Sequence, residues 1–235
     1  MRVLDRRDIG DGTDTLTSIE FLNFNGSTGE PLSMNQFGGT AGLSADDFED
    51  FIELYIALFN RAPDALGLNF WGTAFANGTT LREMTTLFFD QDETRALYPE
   101  NFTNAEFVER VYENVLGREY DQGGFDFWVP VLDDESNEIG RDTFIFEFLR
   151  GVQPSTADEV FLQTKVDIGA YFAVHKGMSD VKNASAAMVL FDGTQNGVNQ
   201  AVNAIDNFYQ QALDPNTGEF LMQIVGVLDN QFDLA

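Results

Sequence analysis

The stretch YIALFNRAPDALGLNFW at Tyr55–Trp71 recurs 57 residues later as YENVLGREYDQGGFDFW at Tyr112–Trp128. Six positions are identical in the two copies: Tyr55/Tyr112, Arg61/Arg118, Asp64/Asp121, Gly67/Gly124, Phe70/Phe127 and Trp71/Trp128. The two tryptophans of the chain each close one copy. A repeat of this length predicts a duplicated structural unit, because periods of tens of residues are typical of repeat architectures.

Each copy is predicted to form a helix, a tight turn and a second helix. Apolar residues before the turn recur with the helical period: Phe48, Phe51, Ile52, Tyr55, Ile56 and Phe59 in copy one, and Val108, Val111, Tyr112, Val115 and Leu116 in copy two. Pro63 disfavours helix at the residue before it. Asp64 and Asp121 are placed to cap the second helix. Gly67 and Gly124 fall in its first turn, where a missing Cβ lets the preceding helix approach.

The shared arginine, aspartate, glycine and tryptophan have two interpretations. They could form a ligand site, or they could be a helix cap, an ion pair and a packing anchor. We favour the structural interpretation, because each of these residues already has a structural role.

The motif resembles the bacterial domain-of-unknown-function family 4214, whose mark is a helix ending in a turn of the form LGR-PD--G--YW. Asn60–Asp64 and Leu116–Arg118 carry the match, with phenylalanine replacing tyrosine before each tryptophan. Copy two has Tyr120 in place of the proline, which leaves its turn less rigid. The resemblance covers about residues 45–150. It implies a large secreted or surface-attached bacterial protein of the kind that carries RTX-type calcium-binding β-rolls or resembles surface-layer chains, and it implies no particular activity.

The composition indicates a folded, strongly acidic protein. The 23 phenylalanines favour a packed core, and 13 Lys and Arg against 39 Asp and Glu give a net charge of −26. Nucleic acid is excluded as a partner, because phosphate contacts need a positive surface. The absence of cysteine excludes disulfides and thiolate metal sites. We expect no membrane span and, from the polar start MRVLDRRDIGDGTD, no cleavable signal peptide within this chain.

Residues 1–25 are expected to form a small β element. Gly10–Leu16, GDGTDTL, fits most of the nonapeptide GGxGxDxUx of calcium-binding β-rolls. On that resemblance Asp11 and Asp14 are the candidate calcium ligands. Calcium takes about six to eight oxygen ligands, so a single turn cannot complete a site. The alternative is a short β element that packs on the helices without calcium.

The remaining chain predicts a mainly α fold, an array of short helices built on a duplicated three-helix unit. The expected divisions are a β element at 1–25, a linker at 26–44, a duplicated repeat domain at 45–150 and a helical C-terminal region at 151–235. Helices are expected near 45–60, 65–76, 80–90, 104–116, 122–132, 142–150, 157–176, 180–191, 196–212 and 217–228. Capping boxes at Thr80/Glu83, Thr103/Glu106 and Thr156/Glu159 mark three helix starts.

The chain offers little familiar catalytic machinery. His175 is the single histidine, so a zinc site or a catalytic triad cannot be assembled, and we interpret it as a solvated or capping imidazole. No phosphate-binding glycine loop occurs. Carboxylates are abundant, so a carboxylate-based carbohydrate-active hydrolase stays open as an alternative. Two carboxyl groups with raised pKa values in one pocket would favour it.

We therefore expect a non-enzymatic module of a secreted or cell-surface bacterial protein that acts in anchoring or assembly. By analogy with the helical anchoring regions of surface-layer proteins, its partner would be a cell-surface polysaccharide or other surface-layer subunits, with calcium offsetting the repulsion between acidic surfaces. Tyr98, Tyr120 and Tyr209 lie at predicted helix ends and are the expected exposed rings for stacking on sugars. The alternative for each is a half-buried ring with its hydroxyl in water.

Overall fold

The structure is a computed structural model that describes residues 2–7, 12–23, 30–136, 139–224 and 228–232. These residues are mainly α-helical, as the sequence predicts. The helices are α1 (Ala45–Phe59), α2 (Ala65–Ala76), α3 (Leu81–Phe89), α4 (Asp92–Leu97), α5 (Asn104–Leu116), α6 (Gln122–Asp133), α7 (Arg141–Gly151), α8 (Ala157–Ala170), α9 (Val181–Val189) and α10 (Gln195–Ala212). Helix α8 continues as a wider π-helical turn over Tyr171–His175.

Two short antiparallel strand pairs precede the helices. Strand β1 (Arg2–Leu4) pairs with β2 (Thr13–Thr15), and β3 (Phe21–Leu22) pairs with β4 (Leu32–Ser33). Two 3₁₀ turns follow, at Met34–Gln36 and Thr40–Gly42. Strand β4 and both turns lie in the stretch that we predicted to be a linker, so this stretch carries short regular elements.

The predicted helix starts are largely confirmed by their hydrogen bonds. Thr80 and Thr103 each form a complete capping box with the glutamate three residues later. Thr156 also caps its helix by accepting from the Glu159 backbone N–H. Glu159 itself accepts from the backbone N–H of Ser155, so the third capping box is only half formed.

The helices of the structure differ from the predicted ones in two places. Helix α4 was not predicted, because its six residues are too few to display a helical period. The helix predicted at 217–228 is absent from its described residues, 217–224 and 228. In that segment the backbone N–H groups of Met222 and Ile224 instead donate to the carbonyls of Gly177 and Val174. The chain after α10 is therefore fixed in a non-helical path by bonds to the end of α8 and the turn after it.

Helix α1 is the centre of the core. Eight of its residues are buried, and they cover more than one face of the helix: Phe48, Phe51, Ile52, Leu54, Tyr55, Ile56, Ala57 and Leu58. A helix that is apolar on most sides must be surrounded by other elements. Helices of both copies and α8 accordingly pack against it.

Equivalent helices of the two copies also pack on each other, α1 on α5 and α3 on α7. At the first contact the side-chain amide of Asn114 donates to the carbonyl of Ala57, 3.0 Å away. These two residues occupy equivalent positions in the repeat. Helix α8 closes this junction through Lys165, which is 3% exposed and donates to Asn60 Oδ1 and to the Asn114 carbonyl. Burial lowers the pKa of Lys165 to about 7.

Candidate functional site

The duplicated turn has the same local construction in both copies. Asp64 Oδ1 accepts from the Gly67 N–H at 2.6 Å, and Asp121 Oδ1 accepts from the Gly124 N–H at 2.8 Å, so both aspartates cap a helix as predicted. A Cβ on Gly67 would lie 2.5 Å from the Tyr55 hydroxyl oxygen. On Gly124 it would lie 2.1 Å from the equivalent hydroxyl of Tyr112. Both glycines are therefore required for the close approach of the preceding helix.

In copy one the turn is closed around Arg61. The Arg61 side chain is only 4% exposed, and its Nε and Nη2 donate to the two carboxylate oxygens of Glu93, each at 2.8 Å. Its Nη1 donates to the carbonyl of Ala62, and the guanidinium carbon lies 4.9 Å from the centre of the Tyr55 ring. All three nitrogens of this guanidinium have a partner in the protein. The Arg61 turn of copy one therefore has a structural role.

In copy two, Arg118 forms the equivalent ion pair with a residue that lies outside the repeated stretch. Arg118 donates from Nε and Nη2 to Asp158 at 2.9 and 2.7 Å, and from Nη1 to the carbonyl of Glu119. Asp158 is the second residue of α8, just as Glu93 is the second residue of α4. The duplicated three-helix units are α1–α3 and α5–α7, and α8 supplies to copy two the ion-pair partner that α4 supplies to copy one.

Copy two is open where copy one is closed. Arg118 is 40% exposed, and it lies in a cleft of about 280 Å³ between α6, α7 and the start of α8. We call this the copy-two cleft, and its lining includes Tyr112, Arg118, Asp121, Trp128, Phe148 and Asp158. The opening arises because only residues 90 and 91 separate α3 from α4, whereas residues 152–156 separate α7 from α8. Val152, Gln153 and Thr156 of this longer connection line the cleft.

Hydrogen bonds and neighbouring charges determine the ionisation states of the side chains that line the cleft. The Gly124 N–H, with Tyr112 and Arg118, holds the pKa of Asp121 below its ordinary value. The hydrogen bond from Arg118 likewise lowers the pKa of Asp158. Burial and the neighbouring Asp121 raise the pKa of the Tyr112 hydroxyl to about 12. At neutral pH the cleft thus presents the Arg118 cation, the ionised Asp121 and Asp158 and the neutral Tyr112 phenol, beside the Glu147 side chain, which pairs with Arg82. Neither aspartate retains a proton to donate as a general acid.

The structure does not bring the three predicted tyrosines together, and the predicted exposure of Tyr98 is wrong. Tyr98 is 8% exposed, and its hydroxyl donates to the carbonyl of Leu58 at 2.6 Å. Leu58 lies in the last turn of α1, where carbonyls have no partner within the helix. Tyr98 therefore completes that helix end and has no exposed face for a sugar.

Removing the Tyr98 hydroxyl measures this role. Tyr98→Phe should lower the free energy of unfolding by about 1–2 kcal/mol, because a buried carbonyl loses its partner. Urea titration of the variant and the wild type gives the difference. The exposed Thr86→Val is the matched control for loss of a hydroxyl and should change stability by less than about 0.5 kcal/mol. Equal losses in the two variants would contradict the role of Tyr98.

Tyr120 and Tyr209 are half-buried and lie in separate hollows. The Tyr120 ring stacks on Phe125, with ring centres 4.1 Å apart, and borders a surface hollow with Glu109, Glu113 and Glu119. Tyr209 lines a cavity beside the N-terminal residues, and Lys176 Nζ lies 4.8 Å from its ring centre. Sugar binding by these two rings stays a prediction.

The two predicted calcium ligands differ in what the structure shows. Asp11 lies outside the described residues. Asp14 is exposed in β2, opposite Val3 of β1. Among the residues that the structure describes, no group of three or more histidine, aspartate or glutamate side chains is placed to hold a metal ion. Calcium at Asp11 and Asp14 therefore stays a prediction.

Carboxyl groups with raised pKa values lie on α1 and α8, outside the copy-two cleft. Burial is the largest cause for Glu49, Glu53 and Asp167, and repulsion from neighbouring carboxylates adds to it for the two glutamates. The pKa of Glu53 rises to about 8. His175 ends the π-helical turn and is half-buried, and its backbone carbonyl accepts from the Gln223 side chain. It therefore lies at the end of a helix, as expected, instead of in the cleft.

Glu53 should make stability fall as pH rises. A carboxyl group whose pKa is raised by folding stabilises the fold at low pH, and this contribution is lost between the ordinary pKa of 4.5 and about 8. From about pH 5 to pH 7 the wild type should lose about 2 kcal/mol more stability than Glu53→Gln. Urea titrations at the two pH values measure this difference, and an equal loss in both proteins would contradict it.

The sequence does not predict the copy-two cleft, because the shared motif is interpreted as structural in both copies. That interpretation describes copy one. The signal for copy two was Tyr120 in place of the proline, together with the absence of a helix soon after residue 150. The partner Asp158 is 40 residues from Arg118 and outside the repeated stretch, so the pair itself had no local signature.

Comparison with known proteins places the duplicated region in a family. Residues 35–97 and 85–150 each match the family described as Domain of unknown function (DUF4214). No curated protein and no solved structure gives a significant match. Within the described part of the chain, no helix combines the length and the apolar composition needed to cross a membrane. Residues 35–150 are thus a tandem pair of copies of the DUF4214 family.

Proposed function

We propose that the chain is a non-enzymatic module of a secreted or cell-surface bacterial protein and that its copy-two cleft binds a unit of a cell-surface polysaccharide. The observation that carries the proposal is the difference between the two copies. The same arginine is 4% exposed in copy one and 40% exposed in copy two, where it lines a cleft with Trp128.

The lining of the cleft suits a sugar. A sugar ring has an apolar C–H face and a rim of hydroxyl groups, so its site needs an aromatic surface beside hydrogen-bonding groups. Trp128 and Tyr112 supply aromatic surface, and Arg118, Asp121 and Asp158 supply charged donors and acceptors. Sites for small molecules generally combine an apolar surface with a few placed polar groups in this way.

The rival function is a carboxylate-based hydrolase, and one observation favours it. Glu53 has a pKa of about 8 and therefore holds its proton at neutral pH, as a general acid must. Glu53 is not part of the cleft lining, whereas the cleft aspartates Asp121 and Asp158 have lowered pKa values. The group suited to donate a proton and the cleft suited to hold a sugar are thus separate, and this supports binding over hydrolysis.

A glycan array tests the proposal. The wild type should bind one class of surface polysaccharide, and Arg118→Met should weaken that binding by about tenfold or more, since hydrogen bonds to a charged group are lost. Arg95→Met removes an exposed, ion-paired arginine elsewhere and should bind like the wild type. No binding to any glycan, or equal binding by the two variants, would contradict the proposal. Release of new reducing ends, abolished by Glu53→Gln, would establish the hydrolase.

Calcium is proposed to assist the attachment of this acidic protein to an acidic surface. A net charge of −26 repels an acidic surface, and ions that bind only the folded protein stabilise it. Millimolar calcium should therefore raise the melting temperature more than sodium chloride of equal ionic strength, and chelator should reverse the effect. Asp14→Asn should reduce the excess due to calcium. Equal effects of the two salts would leave only charge screening and remove calcium from the proposal.

A further inference from the structure

A second cavity lies at the N-terminal residues, apart from the copy-two cleft. It has a volume of about 470 Å³ and lies between β1, the end of α10 and the segment 220–223. Its lining includes Arg2 and Arg6, together with Tyr209 and Leu213. We call it the N-terminal cavity. Most of its remaining lining is apolar: Val3, Leu4, Phe220, Leu221 and Met222.

One donor of the lining residue Arg6 lacks an acceptor within the part of the chain that the structure describes. Arg6 Nη2 donates to the backbone carbonyl of Glu219 at 2.7 Å, which fixes the guanidinium against the segment after α10. Arg6 Nη1 is buried and has no hydrogen-bond partner among the described residues. Burying a charged donor without a partner is costly, so nearly all such groups in proteins are satisfied. An anion bound in the cavity would supply the missing acceptor.

The lining of the N-terminal cavity is positively charged, whereas the protein as a whole is negatively charged. The chain has 39 acidic and 13 basic residues, yet this lining contains two arginines and no acidic residue. Arg6 interacts electrostatically with two carboxylates outside this lining, Asp214 and Glu219. Backbone hydrogen bonds from Asn216 and Thr217 lower the pKa of Asp214, whereas burial raises the pKa of Glu219. The Glu219 carboxylate already accepts from the Ser179 N–H, and Asp214 accepts from Asn216 and Thr217. Both carboxylates therefore have other partners, and Arg6 itself is a lining residue of the cavity.

We propose that the N-terminal cavity binds an amphiphilic organic carboxylate. The planar guanidinium of Arg6 matches a carboxylate in shape and charge, and Arg2 adds a second positive charge. The apolar side chains and the Tyr209 ring would cover the hydrocarbon part of the ligand. This site is independent of the saccharide site in the copy-two cleft, because the two share no lining residue.

Octanoate is the probe, with two matched compounds that each lack one feature. Acetate keeps the carboxylate without the chain, and 1-octanol keeps the chain without the charge. Calorimetric titration of the whole chain should show octanoate binding about tenfold more tightly than either, because charged hydrogen bonds and apolar burial both contribute. Octanoate that binds no more tightly than 1-octanol would overturn the proposed role of the arginines.

Variants locate the site. Arg6→Gln should weaken octanoate binding about tenfold and leave 1-octanol binding unchanged, and Arg2→Gln gives an independent reading if Arg6→Gln does not fold. Arg95→Gln, an exposed arginine on α4, is the control for lost charge and should bind octanoate normally. Arg118→Met should also bind octanoate normally. Unchanged octanoate affinity in both Arg6→Gln and Arg2→Gln would contradict the proposal.

Discussion

Replacing Arg61 by methionine is expected to lower the free energy of unfolding by about 3 kcal/mol, whereas Arg118→Met should cost less than about 1 kcal/mol. Arg61 is enclosed, so its removal takes away buried hydrogen bonds to Glu93 and to the Ala62 carbonyl, together with the packing of the guanidinium on the rings of Tyr55 and Phe59. The Arg118 side chain is 40% exposed, so water already competes for its hydrogen bonds and the pair with Asp158 contributes less to stability. Urea titrations of both variants measure the two costs.

The contrast matters more than either value, because the two arginines occupy equivalent positions in the repeat. A large loss of stability in Arg61→Met with a small loss in Arg118→Met would show that the arginine is structural in copy one and not in copy two. Similar losses in the two variants would contradict the structural difference on which the proposed function rests.

The second large effect concerns the third helix of each repeat. Phe88 of α3 is 1% exposed, and its ring centre lies 5.0, 6.0 and 4.9 Å from those of Tyr55, Phe59 and Trp71. Phe88→Ala should therefore cost about 3–5 kcal/mol, the usual range for emptying a buried aromatic position.

Phe148 makes the corresponding tyrosine contact in copy two, since it packs on Tyr112 with ring centres 4.7 Å apart, as Phe88 packs on Tyr55. Phe148 is 9% exposed and lines the copy-two cleft, so water can enter part of the space that its loss creates. Phe148→Ala should cost less, about 2 kcal/mol. Denaturant titrations of the two alanine variants compare them, and a larger loss in Phe148→Ala would contradict the open cleft.

Much of the fold could be predicted because its signals are local. The helical period placed α1 and α5, and a capping side chain three residues before the N–H from which it accepts placed α3. The caps at Asp64 and Asp121 were readable for the same reason. The segment 217–224 was misread because its path depends on backbone bonds to residues about 45–50 positions earlier, for which the sequence carries no periodic signal.

The candidate site was less predictable, because the two copies differ mainly in what surrounds the motif. Glu93 and Asp158 lie 32 and 40 residues from their arginines. The exposed fraction of each arginine depends on the length of the connection that follows the third helix. Tyr98 was misjudged in the same way, since its hydroxyl bonds to Leu58, 40 residues earlier. These features belong to tertiary packing and not to the spacing of residues.

The two tryptophans allow a direct test, since each belongs to one copy. Trp71→Phe leaves Trp128 as the only indole, and Trp128→Phe leaves Trp71. We expect a saturating titration with the glycan selected on the array to change the fluorescence of the Trp71→Phe protein and to leave that of the Trp128→Phe protein unchanged. A change confined to Trp71, or a selected glycan that binds Trp71→Phe without altering the Trp128 emission, would contradict a saccharide site in the copy-two cleft.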